Sequence, residues 1–123
     1  MPKHALSKSG LLDRDIEAIL QGAEVFPEIE QLILFGSRAK GPHKTASDFD
    51  LAIKGDGITY QTAIRLESIL NEEKPIPYFF DVVNYHTIQE PKLTEHIDRV
   101  GVVIFDRNAG KTLAMNKPAL TSR

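Results

Sequence analysis

The spacing of hydrophobic residues predicts that the chain begins with a helix followed by a buried strand. From Leu12 to Ala23, apolar residues recur every three or four positions, which is the spacing of one helical face. Pro27 lies just beyond that segment and favours a helix end before it. Residues 32–35 are continuously apolar and are closed by Gly36, a pattern typical of a buried strand.

Residues 47–54 follow a different pattern, because apolar and polar positions alternate there with the two-residue period of a strand. The apolar residues that share one face are Phe49, Leu51 and Ile53. Asp48 and Asp50 share the opposite face. This segment is therefore predicted to bury one face and to present two carboxylates on the other.

The second half of the chain continues to alternate between helix and strand. A helix is predicted from about Thr59, and residues 78–83, rich in aromatic and β-branched side chains, predict a strand. Pro91 suits the first turn of another helix, and Gly101 is the candidate residue for its C-terminal cap. Residues 102–105 predict a last strand. Together these elements predict an α/β fold with helices packed on a sheet.

Length and composition predict a single domain. The chain has 123 residues, an ordinary size for one hydrophobic core. We expect an N-terminal arm at 1–11, the domain at 12–106 and a basic C-terminal tail at 107–123. Cysteine is absent, which excludes disulfides and thiolate metal sites. Neither a signal peptide nor a membrane-spanning run is recognisable, so we expect a cytoplasmic protein with no membrane partner.

The charged residues are distributed unevenly. All 17 acidic residues lie within 13–106, but only 9 of the 15 basic residues do, so this stretch carries a net charge near −8. An acidic domain repels polyanions, which argues against general nucleic-acid binding. The same excess of carboxylates is compatible with a site that holds a divalent cation.

Three aspartates are the strongest candidates for chemistry. Asp48 and Asp50 lie two residues apart on a predicted strand, which places their Cα atoms about 6.5–7 Å apart on one face. Asp81 interrupts an apolar strand, where an unpaired carboxylate is costly. If the two strands are neighbours, a cation relieves the repulsion, and oxygen ligands favour Mg²⁺ or Mn²⁺ over zinc. A solvated strand face is the alternative for each aspartate taken alone.

A turn that contains glycine and serine follows the first predicted strand. Gly36 permits a close approach of the backbone to a ligand, and Ser37 offers a hydroxyl and an N–H group to a phosphate. Arg38 and Lys40 add positive charge beside them. Pro42 occupies the position at which a P-loop requires lysine, so this segment is not a Walker A motif. A simple polar turn is the alternative interpretation.

In combination, these motifs resemble the polymerase-β-like nucleotidyltransferase superfamily, and LFGSRAKG followed by SDFDLAI looks like its minimal nucleotidyltransferases (MNT). The resemblance covers residues 12–106 and implies a mixed β-sheet with helices packed on it. It also implies transfer of a nucleotidyl group, AMP from ATP or the equivalent from another nucleoside triphosphate. Asp48, Asp50 and Asp81 would hold Mg²⁺ or Mn²⁺. The implied nucleotide-binding residues are Gly36, Ser37, Arg38, Lys40 and Ser47.

The resemblance further implies a protein partner. Minimal nucleotidyltransferases are commonly encoded beside a small helical protein called HEPN, and the pair resembles a toxin–antitoxin system. The implied role is therefore an antitoxin that transfers AMP to a hydroxyl of its partner, with Asp81 helping to deprotonate that hydroxyl. Two alternatives stay open: a non-catalytic nucleotide-binding subunit that masks a helical toxin, and a small-molecule nucleotidyltransferase. A homo-oligomer is also compatible with the sequence.

Overall fold

The computed structural model of the protein describes residues 11–37 and 48–109. Its α-helices are α1 (Asp13–Glu24), α2 (Tyr60–Ser68) and α3 (Pro91–Val100), and its strands are β1 (Gln31–Ser37), β2 (Phe49–Lys54), β3 (Phe80–Asn84) and β4 (Val102–Asp106). A π-helical turn (Ile69–Glu73) continues α2, and 3-10 turns (Tyr85–Thr87 and Arg107–Ala109) follow β3 and β4. No helix within these two ranges has the length and apolar character needed to cross a membrane.

The strands form one mixed sheet. Their order is β3-β2-β1-β4, with β1 antiparallel to both of its neighbours and β2 parallel to β3. The parallel pair needs a crossover, and α2 with its π-helical turn provides it. The mixed sheet with helices packed on it confirms the predicted fold class.

The two faces of the sheet are buried to different extents. The face toward α1 and α2 belongs to a cluster of 19 buried apolar residues, and Phe49, Leu51 and Ile53 are fully inaccessible within it. The opposite face holds a smaller cluster whose buried members are Ile33, Ala52 and Ile97 of α3. The predicted alternation in β2 is therefore confirmed, and it separates a large core from a thinly covered face.

Several element boundaries differ from those read off the sequence. The helix stripe was predicted to include Leu12, yet this residue is the N-cap and is 53% exposed, while Leu11 packs into the core. The reason is that Asp15 turns back and accepts the N–H of Leu12 at 3.0 Å, which starts the helix at Asp13. Gly101 does occupy the C-cap of α3, but its backbone is extended, with φ −66° and ψ 146°. Glycine suits this position because a Cβ would lie 2.5 Å from a methyl of Ile33.

Arg107, the first residue after β4, forms hydrogen bonds to the segment between α1 and β1. The backbone N–H of Arg107 donates to the Glu30 carbonyl at 2.8 Å. Its guanidinium donates to the carbonyls of Ile29 at 2.9 Å and Phe26 at 3.1 Å. These bonds satisfy carbonyls of the segment that joins α1 to β1, and they fix the sheet edge at β4.

Candidate active site

Two of the predicted aspartates face each other across adjacent strands. Asp50 of β2 and Asp81 of β3 are Cα partners in the parallel ladder. Residues paired in this way lie roughly 4.8 Å apart and point to the same face. Since Phe49, Leu51 and Val82 fill the large core, both carboxylates point to the thinly covered face. The structure thus brings together Asp50 and Asp81, two of the three aspartates that the sequence predicted to share a site.

Gly36 is the neighbour of Asp50 on the other side. It pairs with Asp50 in the antiparallel ladder, next to an irregularity in register between Leu34 and Gly36. A Cβ built on Gly36 would overlap a carboxylate oxygen of Asp50. Only glycine leaves room for that side chain, so the glycine of the predicted phosphate-binding turn also positions a predicted metal ligand.

Asp48 lies at the entrance to β2 and is engaged with the segment before β3. Its backbone N–H donates to the Phe79 carbonyl at 2.8 Å, and its carboxylate accepts the Phe79 N–H at 2.9 Å. This pair of bonds ties the start of β2 to the start of β3. It therefore also helps set the alignment of Asp50 with Asp81.

A fourth carboxylate, Glu67 of α2, joins the site and was not predicted. Its carboxylate accepts the backbone N–H of Val82 at 2.9 Å. Burial raises the pKa of Glu67 above its usual value, and the neighbouring Asp81 raises it further, while the bond from Val82 lowers it.

Asn71 in the π-helical turn contacts the same strand and was also missed. Its side-chain amide donates to the Phe80 carbonyl at 2.9 Å and accepts the Phe80 N–H at 2.7 Å. The available signal was the spacing of Glu67 and Asn71, two polar residues four apart beside the buried Leu66 and Leu70. That spacing is typical of one side of a helix, but it does not reveal which backbone the side chains meet.

The donor atoms at this site fit a magnesium-type cation. Within 11–37 and 48–109, no group of three or more His, Asp or Glu side chains is arranged so that it could hold a metal ion by itself. Mg²⁺ usually takes only one or two carboxylates and completes its shell with water and substrate phosphates. The facing pair Asp50 and Asp81 supplies such a set.

The remaining predicted residues lie at the edge of what the structure describes. Ser37 ends β1, where its backbone pairs with Phe49. Arg38, Lys40 and Ser47 lie outside the described residues. Their roles in nucleotide binding, and the metal-binding and catalytic roles of the three aspartates, stay predictions.

Solved structures with a similar fold include two of toxin–antitoxin proteins. One is a mutant of the toxin–antitoxin MntA-HpeT, with 18% sequence identity, and the other is a toxin–antitoxin with AMP-PNP, with 21% identity. Each comparison has a TM-score of 0.56 and covers 78% of this chain and 74% of the other. A comparison with curated protein sequences finds no match.

A mixed sheet that sets two carboxylates side by side next to a glycine defines a fold and site suited to nucleotidyl transfer. The family described as Polymerase beta, Nucleotidyltransferase matches residues 15–110 of this sequence. The chain belongs to this family and is a nucleotidyltransferase by class. The resemblance to polymerase-β-like nucleotidyltransferases that was inferred from the motifs is thereby confirmed.

Proposed function

We propose that the protein transfers AMP from ATP to a hydroxyl of a partner protein, in a reaction that depends on Mg²⁺ or Mn²⁺. The observation that carries this proposal is the in-register pairing of Asp50 with Asp81 on an open face of the sheet. Two carboxylates at this spacing suit a cation that also binds phosphate oxygens. Bound there, such a cation would supply electrostatic stabilisation for an in-line displacement at phosphorus.

In the proposed reaction, a bond forms between the acceptor oxygen and the α-phosphorus, while the bond from that phosphorus to the bridging oxygen of pyrophosphate breaks. Asp50 and Asp81 would hold the cation, and Asp81 would take the proton of the acceptor hydroxyl. Gly36 and Ser37 bind the triphosphate through backbone N–H groups, with Arg38 and Lys40 adding positive charge. Pyrophosphate leaves with the electron pair of the broken bond.

The surroundings of Asp81 support a side chain as the acceptor. An open cavity of about 530 Å³ lies between α2 and the outer edge of β3, and its lining includes Glu67, Tyr60 and Asn84. A space of this size accommodates a tyrosine side chain. Asp81 does not line this cavity, but its side chain is exposed, and we propose that the acceptor hydroxyl approaches it beside Glu67.

The proposed partner is a small helical protein of the HEPN type, and the pair is a toxin–antitoxin system. The fold shared with toxin–antitoxin proteins, one of them with AMP-PNP, supports this assignment. The acidic stretch 13–106 favours a partner with a basic face, because complementary charge speeds association. Such a system operates in the cytoplasm, where ATP is available.

The test is co-expression with the helical protein encoded beside this chain, followed by intact-mass spectrometry of both proteins. We expect the partner to gain the mass of AMP with the wild type and with Asp56→Asn, an exposed control outside the site. We expect no adduct with Asp81→Asn. A stable complex without adduct in any form, after addition of ATP and Mg²⁺, would instead support a subunit that only masks a toxin.

A further inference from the structure

The outer edge of β3 is bonded by side chains of the preceding helical segment. The Asn71 side chain hydrogen-bonds to both the N–H and the carbonyl of Phe80, and the Glu67 carboxylate accepts the N–H of Val82. Four residues along a helix advance about 6 Å, and two residues along a strand advance about 6.6 Å. The two spacings agree, so successive residues of one helical stripe reach successive outward-facing residues of the strand.

These side-chain bonds lie on either side of Asp81. Phe80 precedes the aspartate and Val82 follows it. The next residue of the helical stripe is Ala63, and the next outward residue of the strand is Asn84; both line the open cavity. The helical segment thus places polar side chains at the two edge positions that flank Asp81. At the next edge position, Asn84, it places the apolar Ala63.

Protection of an exposed strand edge is the simpler explanation for such bonds. Edge strands present unpaired N–H and C=O groups, and covering them discourages pairing with other chains. That purpose would be served equally at Asn84, where the stripe offers no polar group. Edge protection also gives no reason for the two polar side chains to bond on either side of Asp81.

We propose that Glu67 and Asn71 are positioning residues that hold Asp81 opposite Asp50 by fixing the backbone on both sides of it. This inference rests on the proposed function, since it assigns to Asp81 the role of a cation ligand. Glu67 acts through hydrogen bonds and not as a ligand itself. Partners that orient the ligands of a metal typically contribute a factor of about 10 to 100 to metal affinity.

The test uses Mn²⁺ alone, titrated into the full chain and followed by electron paramagnetic resonance without nucleotide. For Glu67→Ala and for Asn71→Ala, we expect the half-saturating Mn²⁺ concentration to rise about tenfold. Glu67→Gln should bind Mn²⁺ like the wild type, because its side-chain oxygen still accepts the backbone N–H of Val82. If an alanine variant does not fold, Asn71→Asp is tested in its place. The aspartate still accepts the Phe80 N–H but can no longer donate to the Phe80 carbonyl.

Two control variants separate positioning from general stability. Thr62→Val removes a buried hydroxyl from α2, so its melting temperature should fall while its Mn²⁺ affinity stays unchanged. Ser68→Ala removes an exposed bond to Glu72 next to Glu67, and it should change neither quantity.

Two results would overturn the proposed positioning while the wild type still binds Mn²⁺. Alanine variants with wild-type affinity would mean that the bonds only protect the edge. A Glu67→Gln variant as weak as Glu67→Ala would mean that the charged carboxylate itself is required. A wild type that binds no Mn²⁺ would contradict the proposed function as well, so the two failures are distinguishable.

Discussion

The two faces of the sheet use the same strands for different purposes. In β2, Phe49, Leu51 and Ile53 are fully buried under α1 and α2, while Asp50 lies between them in sequence and points to the other face. In β3, Asp81 likewise interrupts the buried residues on either side of it. The two-residue period of a strand thus separates folding from chemistry within a few residues. A substitution on one face should therefore change stability, and one on the other should change ligand binding.

The largest expected effect is on the buried face. Phe49→Ala removes a fully buried ring that packs against Phe80 and Tyr78, and we expect it to lower the free energy of unfolding by about 3–5 kcal/mol. Urea denaturation measures this loss. Asp50→Asn, one residue away, is the matched variant and should lose much less stability, because it keeps the size of the side chain and leaves the core filled. A comparable loss in both variants would contradict the division between faces.

Gly36→Ala is expected to have the next largest effect, and it should act mainly on the open face. The added methyl overlaps the Asp50 carboxylate and must displace it, because the β1–β2 ladder holds both backbones. We expect stability to fall by about 1–3 kcal/mol and Mg²⁺-dependent nucleotide binding to weaken. Gly57→Ala is the control, since its Cβ would meet only the Glu28 side chain at 3.3 Å. Equal nucleotide binding by both variants would show that Asp50 does not require the glycine.

A smaller effect is expected at the buried polar contact between α2 and the loop before β1. The Thr62 hydroxyl donates to the Glu28 carboxylate at 2.7 Å, and its oxygen lies 3.2 Å from the Thr59 N–H, which donates to it. Thr62→Val keeps the shape and removes both bonds, so we expect a loss of about 1–2 kcal/mol by urea denaturation. Nucleotide binding should not change. A loss of binding would mean that this helix end and the site are coupled.

The smallest expected effect concerns pH. Bonds from Thr62 and from its own backbone N–H lower the pKa of Glu28 below its usual 4.5, with further help from Arg65 and Arg107 against the opposing effect of burial. A lowered pKa stabilises the folded state above about pH 4.5, and this contribution is lost as the pH falls through the folded value. Melting temperatures of wild type and Glu28→Gln should therefore differ near neutral pH and converge in acid. A difference that does not shrink in acid would contradict this assignment.

The sequence predicted the buried face better than the open one. The spacing of apolar residues alone identified the buried face of β2 and the helices that pack on it, because burial requires apolar residues at fixed intervals. It also placed Asp48 and Asp50 on the opposite strand face, and the composition of the later strand identified Asp81 as a carboxylate out of place. It could not identify Glu67 or Asn71, since their partners are backbone groups of β3, and the contact depends on how the crossover helix lies over the sheet edge. The irregularity that sets Gly36 beside Asp50 likewise arises only once strands pair.

The central claim is that the facing pair of Asp50 and Asp81 binds nucleotide through a divalent cation. Isothermal titration calorimetry of the protein with AMP-PNP, first in Mg²⁺ and then in EDTA, tests this claim most directly. We expect binding in Mg²⁺ that weakens at least about tenfold in EDTA or in the Asp50→Asn variant, a scale seen even for outer-shell changes at metal sites. Asp56→Asn should bind like the wild type. Equal affinity in Mg²⁺ and EDTA, or in wild type and Asp50→Asn, would contradict the claim.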